Sequence, residues 1–238
     1  MIKKICLWSS PRNVSTALMY SFAQRSDAKV FDEPLYAHYL KVSGAIHPGR
    51  EEVLQTQENE GEKVVQNILL QTHAPVNFHK LMTHFLVDLD RSFLTEVTNV
   101  LLIRNPAEII ASYTKVIPNP EMKDIGVKMQ YELFHELKEQ GQLTAILDAK
   151  ELLKNPQSAL QQLCRQIGVS FDKKMLKWEQ GARKEDGSWA KYWYSNVHQS
   201  TGFKSYKYKE VKLEGSNLAL AKKCQSYYDF LYKQSIKV

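Results

Sequence analysis

The sequence is poor in cysteine, in long apolar runs and in concentrated charge, and each shortage removes a class of protein. Cys6, Cys164 and Cys224 are odd in number and widely separated. None forms the C-x-x-C spacing of zinc or redox sites, so reduced, mostly buried thiols are expected. No stretch of about eighteen apolar residues is present, which argues against a helical membrane span. Behind Lys3 and Lys4 the apolar stretch from Ile5 to Trp8 ends at once in Ser-Ser-Pro-Arg, too short for a signal-peptide core, and a cytoplasmic protein is the expectation. His38, His47, His73, His79 and His198 make no i, i+4 pair with a third ligand in view, and no metal is expected. Lys and Arg outnumber Asp and Glu by 32 to 26, a net charge of +6 that favours anionic partners. The basic residues are interspersed with acids and apolar positions, so nucleic-acid binding is not expected. Oligomeric state leaves no readable pattern.

The 238 residues, 43% of them hydrophobic, are enough for one sizeable core, and a single domain over 1–238 is expected. Ile2 to Trp8 reads as a buried strand, broken by Ser9-Ser10-Pro11-Arg12-Asn13 before helical spacing begins at Val14. Ala28 to Asp32 and Val76 to Leu81 are strand candidates. Val97 to Ile103, a continuous Val-Thr-Asn-Val-Leu-Leu-Ile, has the strongest strand pattern in the chain. Asn105-Pro106 starts a helix, Leu143 to Asp148 reads as a further strand, and Pro156 to Ile167 as an amphipathic helix stopped by Gly168. Leu35 to Leu40 predicts a helical turn, and Val64 to Gln71 fits either helix or strand. From Gly181 to Phe203 the chain is rich in Trp, Tyr, Lys and Gly without a period, which predicts a long loop over 181–203. Leu218, Leu220, Cys224, Tyr227, Tyr228 and Leu231 predict a C-terminal amphipathic helix over about 214–235. Alternating strands and helices imply an α/β fold with a mainly parallel sheet.

Two stretches carry anion chemistry. Ser9 to Thr16 lies where a strand hands over to a helix, so successive backbone N–H groups and the helix N-terminus face the same point. Arg12 adds fixed charge there, and Ser15 and Thr16 add hydroxyl donors. The loop lacks the two glycines and the lysine of G-x-x-x-x-G-K-[ST], which counts against a nucleotide hydrolase or a kinase-type phosphotransferase. Arg104 ends the strongest strand, beyond which ligands of open parallel sheets bind, and Ser112 follows it by eight residues on the next helix.

Together these stretches resemble the PAPS-dependent sulfotransferases (PAPS is 3′-phosphoadenylyl sulfate). In that family the first loop holds the donor's 5′-phosphosulfate, and an arginine and serine hold its 3′-phosphate. The resemblance implies a P-loop-type, three-layer α/β fold with a central, mainly parallel sheet flanked by helices. It implies donor contacts from Pro11, Arg12, Asn13, Val14, Ser15, Thr16, Arg104 and Ser112, with Val14 standing where the family loop often has glycine. Arg183 and Lys184, in Arg183-Lys184-Glu185-Asp186-Gly187-Ser188-Trp189, look like the family's late loop over the 3′-phosphate, with the glycine displaced. Lys80 and His84 occupy the region from which family members supply a lysine and a histidine base, and Glu33 is the rival base. Asp32 to Tyr36, His47 to Glu52 and Trp193 to Phe203 resemble a bacterial sulfotransferase-like subgroup sometimes labelled by association with branched-chain aminotransferases. The function implied is sulfuryl transfer from PAPS, with PAP as product and no metal, to a small hydroxyl or amine acceptor. The alternatives are a non-catalytic PAP- or nucleotide-binding module and a P-loop kinase. Trp189, Tyr192, Trp193, Tyr194 and Phe203 fit either an acceptor lid and adenine wall or a packed core.

Overall fold

A computed structural model describes residues 2–208 and 210–238. Five strands, β1 (Lys3–Ser9), β2 (Ala28–Asp32), β3 (Val76–Met82), β4 (Thr98–Ile103) and β5 (Leu143–Asp148), form one sheet in the order β2-β3-β1-β4-β5. All four pairings are parallel, so the carboxyl ends of all five strands gather at one edge of the sheet. The helices are α1 (Ser15–Phe22), α2 (Tyr36–Ser43), α3 (Arg50–Thr56), α4 (Gly61–Val64), α5 (Pro106–Tyr113), α6 (Met122–Ile125), α7 (Val127–Glu139), α8 (Ala149–Lys154), α9 (Pro156–Ile167), α10 (Ala190–Trp193), α11 (Ser195–His198) and α12 (Gly215–Lys233).

The side-chain alternation of β1 divides the interior. Cys6 and Trp8 enter a core shared with α2, α5, α7 and α12, whereas Ile5 and Leu7 enter a second core shared with α1 and α9. Three layers result, because a parallel strand buried on both faces needs helices on each side. The three cysteines are free and buried, and they pack as small apolar groups.

Several local choices position the carboxyl edge. Asn105 caps α5, its side chain accepting from Ala107 N at 2.9 Å, and Pro106 occupies the first helical position. Gln130 on α7 donates to the carbonyls of Trp8 (3.1 Å) and Leu102 (2.8 Å), tying the ends of β1 and β4 together. The segment 64–71 contains a π-helical turn, Val65–Leu69, continuing from α4, so it is helical rather than extended. The span 181–203 is not wholly loop. It contains the short helices α10 and α11, held by tertiary contacts of Trp189 and Tyr194 rather than by any helical periodicity.

Candidate functional site

The chain leaving β1 turns through Arg12 in the left-handed region (φ 53°) before α1 begins. Asn13 fastens this turn to the sheet by donating to the carbonyl of Leu102 at 2.9 Å, and its side-chain oxygen accepts from Val14 N at 2.8 Å. The N-cap of α1 makes no side-chain capping bond, so the leading N–H groups of that helix are not satisfied by a cap and remain available to an anion.

Arg104 and Ser112 meet this loop. Arg12 Nε donates to Ser112 Oγ at 3.0 Å across one hundred residues of chain, and Arg104 donates to the carbonyl of Arg12 at 2.7 Å. Burial and the neighbouring Arg104 charge both lower the pKa of Arg12. Arg104 is steadied by an ion pair with Glu108 at 2.9 Å. The carbonyl of Trp193 accepts from Arg12 at 3.4 Å, and the Arg12 guanidinium lies 5.7 Å from the Trp193 ring centroid.

These groups border a cavity of about 540 Å³. Pro11, Arg12, Asn13, Val14, Ser15, Thr16, Arg104 and Ser112 line one part of it, and Glu33, Lys80 and His84 line the same cavity. Arg183 and Lys184 do not. Asp186 accepts from the hydroxyl of Tyr20 and from Arg183 N, and pairs with His198 Nε2 at 2.9 Å; together these turn their loop away. The Arg183 guanidinium consequently sits 5.1 Å from the Tyr20 ring centroid, and Lys184 borders a different cavity. A cation that the sequence reading missed, Lys204, lines the main cavity instead. Tyr206, two residues on, donates to Glu108 at 3.1 Å, which brings the 202–206 segment to the carboxylate that holds Arg104. Of the late aromatic residues, Trp189, Trp193, Tyr194 and Phe203 line the cavity, whereas Tyr192 is exposed.

Lys80 and Glu33 belong to a buried cluster. The β2–β3 register sets Asp32 beside Lys80, and the turn at Glu33 (φ 45°) folds the next carboxylate onto the same ammonium. Lys80 Nζ contacts Asp32 Oδ1 at 2.7 Å, Glu33 Oε1 at 2.5 Å and the hydroxyl of Tyr194 at 2.5 Å. An ammonium has three N–H donors, and all three are engaged. Burial pulls the Lys80 pKa down, but the two carboxylates outweigh it and the net shift is upward. For Glu33 the balance is reversed: burial raises its pKa, and the opposing pull of Lys80 does not cancel the rise. His84 is buried with Nδ1 unpartnered, and burial, assisted by the nearby His47, lowers its pKa to about 3. The neutral imidazole is therefore the favoured form.

A parallel sheet with a loop after the first strand and a basic pair at its carboxyl edge is an arrangement suited to an anionic ligand in an α/β protein. A sulfotransferase-domain family model matches residues 3–227, and the chain belongs to that family. It is 41% identical over 204 residues to branched-chain-amino-acid aminotransferase-like protein 1 of Arabidopsis thaliana, covering 84% of this chain and 36% of the relative. The second such protein of that plant is 40% identical over 203 residues, covering 83% and 36%. The chain thus spans about a third of the length of these curated relatives. Its fold is similar to that of a sulfotransferase domain from the curacin biosynthetic pathway, with a TM-score of 0.57 and 15% identity, covering 100% of this chain and 99% of that one. It is also similar to a sulfotransferase domain from the Synechococcus PCC 7002 olefin synthase, with a TM-score of 0.51 and 15% identity, covering 94% and 95%. Among the described residues, no group of three or more His, Cys, Asp or Glu is placed to hold a metal ion, and no helix is long and apolar enough to cross a membrane.

Proposed function

We propose that the protein transfers a sulfuryl group from PAPS to a hydroxyl or amine of a small acceptor. The observation that carries this reading is the convergence of Arg12, Arg104 and Ser112 on one cavity wall beside the uncapped start of α1. The start of α1 and Arg12 receive the phosphosulfate, whose bridging oxygen gains charge as the sulfur–oxygen bond breaks. Arg104 and Ser112 hold the 3′-phosphate, and Lys204 supplies a third cation in place of Arg183 and Lys184. The acceptor oxygen attacks sulfur in line as the bond to the bridging oxygen breaks and PAP leaves, and its proton passes to a base. His84 lines the cavity and fits that role through Nε2, which no hydrogen bond occupies among the described residues and which, unlike the sealed Nδ1, is not shut off from solvent; Glu33 is the second candidate. Lys80, with every donor engaged, holds Glu33 and Asp32 in place.

Calorimetric titration tests the donor site. PAP is expected to bind more tightly than adenosine 5′-phosphate, and ATP-magnesium is expected to bind weakly. Equal binding of PAP and adenosine 5′-phosphate refutes the assignment of Arg104 and Ser112. Arg104→Ala is expected to weaken PAP binding by about 10- to 100-fold, the worth of a charge-assisted phosphate contact, with adenosine 5′-phosphate affinity nearly unchanged.

A further inference from the structure

We propose that the acceptor carries a positive charge next to its nucleophile, as an amino alcohol or a quaternary ammonium alcohol does, and that Glu33 with its aromatic neighbours recognises that charge. The inference rests on the sulfuryl-transfer reading and deepens it. The buried cluster holds two carboxylates, Asp32 and Glu33, against the single ammonium of Lys80, so with Glu33 ionised one negative charge is in excess, and a bound cation favours that ionised form. Lys80 has no donor to spare. Both oxygens of Asp32 are taken up, Oδ1 by Lys80 and Oδ2 by Gly187 N and Tyr194. Glu33 Oε2 makes no hydrogen bond among the described residues and is not sealed from solvent, while Glu33 itself lines the main cavity.

The surroundings of that carboxylate suit a cation that is not hydrated. Tyr36 follows Glu33 by three residues, its N–H donating to the Glu33 carbonyl at 2.9 Å. Its ring packs edge-on against Trp189, with centroids 5.1 Å apart, and stacks on Phe85 at 5.3 Å. All three rings line the cavity. Tyr36 and Phe85 cover one another's faces, so the rings present a low-polarity aromatic wall to the cavity that Glu33 also lines, and such a wall beside a carboxylate suits a weakly hydrated cation such as a quaternary ammonium group. An anionic acceptor meets the excess charge of the cluster and the charge of the donor, whereas a cationic one is attracted by both.

The test is titration of the whole protein with choline and, separately, with dimethylbutanol, its uncharged carbon isostere. Each is measured with and without saturating PAP, so the donor site is scored apart from the acceptor site. Choline is expected to bind about tenfold more tightly than the isostere, and Glu33→Gln is expected to abolish the difference. The proposal is overturned if the isostere binds as well as choline, if neither binds, or if the preference persists in a folded Glu33→Gln variant. The wild-type comparison stands without any variant. Failure to bind PAP, by contrast, overturns the donor site and leaves the choline preference readable by itself.

Discussion

Replacing His84 with alanine is expected to lower kcat by about 10²- to 10⁴-fold, the usual contribution of a positioned general base, while PAP binds as tightly as before. The unpartnered Nδ1 faces no protein hydrogen-bond acceptor or donor, so its removal leaves no broken internal bond. A single-turnover assay with saturating PAPS separates the two quantities. The pH profile of kcat/KM adds a second criterion, since it reports the free enzyme. With the imidazole pKa lowered to about 3 by burial, a base at His84 keeps its proton-accepting form well below the range of an exposed histidine. An acid limb above the ordinary carboxylate range that disappears in Glu33→Gln, together with an active His84→Ala variant, moves the base to Glu33.

The largest stability effect is expected at Lys80. Lys80→Met removes the cation paired with both Asp32 and Glu33, from a site where Lys80 and Asp32 are 1% exposed, and leaves the two carboxylates facing each other, a defect worth about 3–5 kcal/mol in urea unfolding. The defect depends on pH in a definite direction. In the variant Glu33, whose pKa burial already raises, loses the opposing pull of Lys80, so its folded-state pKa lies above that of the unfolded chain and the folded state binds more protons. Its stability is greatest below the unfolded carboxylate range and falls as pH rises through the folded values. Adding Asp32→Asn to Lys80→Met is expected to restore part of the loss, because one of the two stranded charges is gone. An undiminished loss in the double variant refutes the charge argument.

What was legible in the sequence is the part encoded locally. The strand-loop-helix at Ser9 to Thr16 and the strand ending in Arg104 are written in apolar runs and turn residues a few positions apart. Their convergence was available only through resemblance, since Arg12 and Ser112 are one hundred residues apart in the chain. The Asp32–Glu33–Lys80–Tyr194 cluster was not legible. It depends on the β2–β3 register and on a residue in the late aromatic segment, neither of which leaves a periodic trace. The same holds for Arg183 and Lys184: their residue types suit a phosphate, and only the bonds of Asp186 to Tyr20 and His198 determine that the loop points elsewhere. Lys204 leaves no distinct signal, because a lysine in a stretch that also holds Lys207 and Lys209 looks like part of a solvated basic face.

Consecutive residues of the late segment touch different halves of the cavity: the carbonyl of Trp193 accepts from Arg12, and the hydroxyl of Tyr194 bonds to Lys80 and Asp32. Such a segment behaves as a ruler of fixed length. An amino acid inserted between positions 193 and 194 forces the chain to release one grip to keep the other, whereas insertion in the exposed stretch around Tyr208 displaces neither. The spacing of positions 193 and 194 is therefore as much a part of the cavity as the side chains that line it.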